Sequence, residues 1–290
     1  MLGTTPGRKA FAVFNNIFLS LVSLSMLIPF LNILAGSLSE GLAILQGKVG
    51  IWPVDFTWVN YQIVLGNPSI LRSFLVTVIV TSVGTIMNLI FTALMAYGLA
   101  KEDLRGRKFM MLFILFTMIF QAPLIPSYLV VKYFGLLNTI WSLIIPGLIS
   151  AYNLILMITF FRNIPDGLMD SARIDGAGEY RILWSVVLPL SLPSLMTIGL
   201  FYAVGHWNSY FAALMYIRNP DLYTLQVKLQ QLLLASESFE TPSYLGNVTG
   251  NSAEGIKMAS IIVATVPILL VYPFIQKHFV KGALLGSLKG

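Results

Sequence analysis

The chain contains no cysteine, and only two of its 290 residues are histidine. The first absence removes disulfides, thiolate metal sites, a cysteine nucleophile and a lipid-modified cysteine near the apolar N-terminal run. The second leaves too few imidazoles for a histidine-rich metal centre, so no metal site is expected. Charge is scarce as well. Lys and Arg number 18 and Asp and Glu 12, together 10% of the chain, against 57% hydrophobic residues and a mean hydropathy of +0.81. A water-soluble domain of this length needs far more charge to cover its surface, so lipid must be part of the solvent. The net charge of +6 then reflects Lys and Arg held on the cytoplasmic face of a membrane, and no nucleic-acid partner is expected.

What is abundant is long apolar sequence. Crossing the roughly 30 Å hydrocarbon core takes about 20 helical residues, and six runs qualify: residues 10–35, 74–100, 109–131, 134–161, 192–217 and 258–276. The expected fold class is therefore all-α, a polytopic membrane protein with six transmembrane helices forming one domain over residues 1–290. The third run is interrupted by Gln121, Pro123 and Pro126, which predicts a kink or a local unwinding. A basic end followed by an apolar run is also the outline of a secretory signal. The length of the first run, and the spans after it, predict a retained helix instead.

Orientation follows from Lys and Arg. With the N-terminus inside, the cytoplasmic face holds twelve of them and the opposite face six, which favours both termini in the cytoplasm. Residues 162–190 then form a cytoplasmic loop and residues 218–257 an extracytoplasmic one.

The cytoplasmic loop concentrates charge. Asp170, Arg173, Asp175, Glu179 and Arg181 fall within twelve positions. Asp166 is expected to cap a helix, with Asp170 near its N-terminal end where negative charge is favoured. Asp175-Gly176 reads as its stop, because glycine accepts the left-handed conformation. A second helical run over 180–187 is expected to be closed by Pro189. Small residues such as Ser171, Ala172, Gly176 and Ala177 suit either a simple turn or the close approach of another protein, and spacing alone leaves both open.

The order Asp170-Ser171-Ala172, three residues, Gly176, nine residues, Val186, one residue, Leu188-Pro189 resembles the cytoplasmic "EAA" loop of ABC-importer permeases: Glu-Ala-Ala, three residues, Gly, nine residues, Ile, one residue, Leu-Pro. Asp170 replaces the Glu, Ser171 an Ala and Val186 the Ile. The stretches WPVDFTWVNYQIVL, AYGLAK, IPSYLVVKYFGLLNTIWSLIIP and GHWNSYFAAL are similar to the maltose-type carbohydrate-uptake branch, and YPFIQKHFVKGALLGSLKG resembles its subgroup for complex or uronate-containing oligosaccharides. The resemblance implies a type I importer permease fold in a bacterial cytoplasmic membrane. It implies a second homologous permease, two ABC ATPase subunits that use ATP and magnesium, and an extracytoplasmic sugar-binding protein as partners. It also implies that Asp170, Ser171, Ala172, Arg173, Asp175, Gly176 and Ala177 form a coupling helix seated on an ATPase subunit, with Leu188 and Pro189 leading into the fifth span. The outer loop would touch the binding protein, and the basic tail from Lys277 would lie near the ATPase interface.

No Gly-x-x-x-x-Gly-Lys-Ser/Thr loop occurs, so the chain is expected to bind no cofactor itself and to rely on a partner for ATP hydrolysis. Polar side chains within spans are costly and tend to face a cavity or the bundle interior. Gln121, Asn153, Trp207, Asn208 and Tyr210 are the candidates for a sugar pathway, since aromatic faces stack on sugars and amides bond hydroxyls. Asn88 and His206 are further polar span residues, and His206 is expected to be structural. Interhelical hydrogen bonds and an aromatic belt are the plainer reading of any one of these residues. A permease for another small solute, an integral-membrane enzyme, and a secondary transporter or channel remain as alternatives. An enzyme would call for converging carboxylates or histidines, and a secondary transporter for repeats and charged span residues.

Overall fold

The computed structural model describes residues 6–120, 122–237 and 253–287. Among the described residues every regular element is helical, apart from one isolated bridge between Ser39 and Phe56. Three helices are long and apolar enough to cross a bilayer: Gly7–Ser37, Pro68–Ala100 and Ala253–Leu270. Three pairs of helices meet the same length and composition only together, each bent at a short break: Arg107–Ile119 with Leu124–Tyr133 at 116°, Trp141–Gly147 with Ala151–Arg162 at 54°, and Glu179–Leu190 with Leu192–Trp207 at 85°. Counting each pair once gives the six crossings that the hydropathy predicts.

The boundaries differ where local chemistry overrides hydropathy. The second span starts at Pro68 rather than at residue 74. The Asn67 side chain accepts the Ser69 N–H at 2.9 Å, and proline is pre-set for a first helical position. The third span is broken as expected, and Pro123 stands at the start of Leu124–Tyr133. The fourth is interrupted too, at Pro146-Gly147 and Ser150. The fifth ends at Trp207, and a separate turn of helix, Phe211–Tyr216, follows. The sixth run lies within one long helix, Ala253–Ser287, with Pro267 and Pro273 inside it.

The chain divides into two compact units, Met1–Ile70 with Leu229–Val266, and Leu71–Lys228 with Pro267–Gly290. In the first unit, the Pro6–Ser37 helix is exposed along nearly its whole length, Phe11, Phe14, Leu21 and Met26 among its open side chains. An apolar helix with no protein cover is suited to lipid or to another apolar helix. Its C-terminal end is tied down: fully buried Asn60 donates to the carbonyls of Ser37 and Ser39, both at 3.1 Å. Ser37 and Tyr61 share a hydroxyl hydrogen bond of 2.8 Å.

In the second unit two apolar clusters form. One joins Ala96, Leu154, Met157, Phe161, Ile182 and Ile198, and the other Val80, Ile144, Ala213 and Val227. Helix Ala151–Arg162 is central, with both Leu192–Trp207 and Arg107–Ile119 packed on it. The break before it is secured by polar groups from other helices. Asn88 donates to the Gly147 carbonyl at 3.1 Å, and the Tyr202 hydroxyl accepts the Ser150 N–H at 3.0 Å. Freed backbone groups at membrane depth require such partners.

Candidate functional site

The loop begins with a helix over Asp166–Ile174. Asp166 is its first residue rather than its cap. Pro165 occupies the cap position, and having no side-chain oxygen it accepts nothing from the first turn. The stop falls where the sequence places it: Asp175 closes the helix and Gly176 takes a left-handed φ of +79°. The Ala177 N–H bonds the Ala172 carbonyl at 2.9 Å and the Gly176 N–H the Arg173 carbonyl at 3.0 Å, a closed glycine terminus.

The helix buries none of its residues fully. Met169, Ala172 and Ala177 lean on the apolar core, while Ile174 is 86% exposed and Tyr180 77%. Both apolar side chains stand open on a polar loop. Asp170, Ser171, Arg173, Asp175 and Gly176 are all exposed, and Arg173 bonds Asp170 at 2.7 Å within the helix.

The second helical run extends over Glu179–Leu190 and passes through Pro189 instead of stopping there. Residues Leu183–Val187 form a widened π turn immediately before Leu188 and Pro189. A wide turn relieves the clash between a proline ring and the preceding turn. The chain breaks instead at buried Ser191, whose N–H reaches the carbonyls of Val187 and Leu188.

Sequence reasoning missed what holds this loop. The Glu179 carboxylate receives Lys101 Nζ at 2.7 Å, the Tyr97 hydroxyl, and Arg173 Nε at 3.4 Å. Lys101 Nζ also lies 4.8 Å from the centre of the Tyr97 ring. Hydrogen bonds from Lys101 and then from Tyr97 hold the Glu179 carboxyl below the ordinary glutamate range. A cavity of about 570 Å³ opens beside this group, bounded by Tyr97, Lys101, Asp103, Asp170 and Glu179. The charge of Glu179 was legible. Its partners, 78 and 82 positions away in sequence, were not.

The expected pathway residues are dispersed. Asn153 is buried in the first turn of Ala151–Arg162, and Trp207 is buried edge-on to Phe74 with ring centres 5.9 Å apart. Tyr210 packs on the apolar cluster of Val80, Ile144, Ala213 and Val227. Asn208 is exposed, donating to the Val204 carbonyl at 2.9 Å and accepting from Gln226 at 3.5 Å. Gln121 lies outside the described residues. Asn88 and His206 face each other at 3.5 Å, with the imidazole packed on Gly84. Of the loop over residues 218–257, residues 238–252 lie outside the described residues, and its first part is folded. Asn138 Oδ1 accepts the N–H groups of Arg218 and Asn219 at 3.0 and 2.8 Å, and helix Leu225–Glu237 follows.

Bent apolar crossings with a short, open-faced helix on one polar loop fit a membrane transport subunit. The chain belongs to the family of binding-protein-dependent transport system inner membrane components, whose model matches residues 94–284. It is 44% identical to a polygalacturonan/rhamnogalacturonan transport system permease of Bacillus subtilis, over 94% of this chain and 96% of that one. It is 27% identical to an arabinooligosaccharides transport system permease of Halalkalibacterium halodurans, over 90% and 91%. Among solved structures, a chain of a bacterial ABC transporter involved in the import of the acidic polysaccharide alginate superposes with a TM-score of 0.90 at 33% identity, covering 96% of this chain and 100% of that one. The fold is that of a type I ABC permease, and the chain is a transporter component rather than an enzyme.

Proposed function

We propose that this chain is one of two permease subunits of an ATP-driven importer of oligosaccharides, most suited to acidic, uronate-containing chains. Two ATPase subunits and an extracytoplasmic binding protein complete the assembly. The observation that carries the reading is the near-complete match, 33% identical at a TM-score of 0.90, to a chain from an importer of an acidic polysaccharide. The relative with polygalacturonan in its name points the same way, since polygalacturonan is itself a polymer of uronate.

In this reading both termini and the 162–190 loop lie in the cytoplasm of a bacterial cell, and residues 218–257 lie outside. The Asp166–Ile174 helix seats on an ATPase subunit, with Ile174 and Tyr180 as apolar contacts and Asp170, Arg173 and Asp175 setting the docking angle. ATP and magnesium act at the ATPase. Closure of the ATPase pair moves the loop, and the continuation through Leu188 and Pro189 carries that motion into Leu192–Trp207, switching access between the two faces. Sugar passes along the permease pair, with exposed Asn208 the best placed of the described polar candidates to meet hydroxyl groups.

The test is reconstitution of the complete assembly in liposomes with its binding protein, followed by uptake of radiolabelled oligogalacturonates, alginate oligomers and neutral arabino-oligosaccharides. ATP-dependent entry of the acidic oligomers is expected. Entry of neutral oligomers alone would remove the uronate preference, and entry of no oligosaccharide would remove the function.

A further inference from the structure

Beyond the docking helix and its continuation into the fifth span, the loop has a second mechanical connection. Tyr97 and Lys101 sit one turn apart at the cytoplasmic end of the Pro68–Ala100 helix, so both side chains leave the same face. Both end on Glu179 Oε2, the lysine at 2.7 Å. The other oxygen of that carboxylate takes Arg173 Nε at 3.4 Å. Arg173 is in turn committed to Asp170 at 2.7 Å. One carboxylate thus joins three donors from two elements, the end of a long span and the helix that faces the partner.

Apolar packing also joins the two elements, since Ala96, Tyr97 and Leu99 share a cluster with Ile182 and Leu183, but it holds the docking helix itself only weakly. No residue of Asp166–Ile174 is fully buried, and its apolar support is limited to partly covered side chains such as Met169 and Ala172. A single exposed ion pair fixes geometry poorly, but several donors sharing one carboxylate from different directions restrict it much more. Glu179 is also the first residue of its helix, following Gly178. Its backbone is therefore carried by the loop while its side chain is anchored to the span.

We propose that Glu179 is a positioning residue for coupling, resting on the importer reading above: it transmits displacement of the loop helix to the Pro68–Ala100 span through Lys101 and Tyr97. The span therefore moves with the docking helix, together with Leu192–Trp207. Without the link, the ATPase can still dock and close, but the second span follows less closely, held to the loop by apolar contact alone.

The experiment measures sugar imported per ATP hydrolysed in proteoliposomes holding the complete assembly, for the unaltered chain, Glu179→Gln, Lys101→Met and the exchanged pair Glu179→Lys with Lys101→Glu. Glu179→Gln and Lys101→Met are expected to hydrolyse ATP while importing at least about fivefold less sugar per ATP, a coupling loss of ordinary allosteric size. The exchanged pair is expected to recover part of the ratio, since it restores the pair between positions 101 and 179 but sets a cation beside Arg173. Normal ratios in both single variants overturn the proposal. So do variants that merely lower the amount of assembled transporter while keeping the ratio, or variants too poorly assembled to measure with no recovery in the exchanged pair. If the unaltered chain fails to couple uptake to ATP, it is the importer reading that fails.

Discussion

The Tyr202 hydroxyl lies 2.8 Å from Thr92 Oγ1, and the same oxygen receives the Ser150 N–H at 3.0 Å. One phenol therefore links the second crossing to the fifth and also covers the broken backbone of the fourth. Tyr202→Phe removes the oxygen but keeps the ring, leaving a buried hydroxyl and a helix-terminal N–H without this partner. The expected cost is about 1–3 kcal/mol, read as a lower melting temperature of the purified subunit in detergent. An unchanged melting temperature would mean that water or lipid headgroups already satisfy these groups.

Gly84 and His206 set a packing limit. A methyl group added at Gly84 would come within 2.6 Å of His206 Nε2 and 2.8 Å of Cε1. The ring is wedged near Asn88 and cannot yield as a flexible chain end does. Gly84→Ala is expected to destabilise by about 1–3 kcal/mol, and a second change, His206→Ala, is expected to relieve much of it. Thermal unfolding of the single and double variants checks both statements.

Gly176 separates a turn from a contact. Its φ of +79° disfavours other residues, yet a side chain there would meet nothing within 4 Å. Asparagine tolerates the left-handed conformation, so Gly176→Asn keeps the turn and adds bulk only on the outer face. Normal melting with strongly reduced uptake is the expected result if an ATPase approaches this backbone closely. Normal uptake would leave glycine with the turn alone. Gly176→Leu adds backbone strain to the same bulk, and is expected to insert in the membrane but uncouple ATP hydrolysis from uptake.

The Glu179 carboxyl lies below its ordinary range because Lys101 and Tyr97 favour its charged form. A carboxylate depressed in the folded state stabilises fully above its unfolded value of about 4.3, and that contribution is lost as pH falls through the depressed value. The melting difference between the unaltered chain and Glu179→Gln should therefore stay level from pH 7 to about 5 and narrow only below the unfolded value. A difference that vanishes between pH 7 and 6 would assign it to some other group.

Hydropathy was enough to count the crossings, because 20 uninterrupted apolar residues have few other uses. It was not enough to bend them. The break in the third followed from Pro123 and Pro126. Pro146-Gly147 carried a similar signal in the fourth, masked by apolar neighbours on both sides. In the fifth, Pro189 and Pro193 flank Ser191, and the wide turn at Leu183–Val187 moved the break past the first proline. The loop helix was legible from Gly176 and its small residues, whereas the Lys101–Glu179 link exists only after folding. Trp207 shows the limit for the pathway: an aromatic residue beside an amide suits a sugar, and equally suits the edge of Phe74.

The widened turn at Leu183–Val187 gives the spacing of the loop motif a geometric meaning. Nine residues separate Gly176 from Val186, and that count includes a stretch wound more loosely than an α-helix. Each residue of a regular helix advances about 100° around its axis. A strictly α-helical chain of the same length would bring Leu188 and Pro189 to Ser191 facing a different direction. The motif's interval therefore encodes an angle: deleting one residue between 183 and 187 is expected to close the wide turn to an ordinary α turn and keep the direction in which the fifth crossing starts, whereas rewinding it at unchanged length turns that direction.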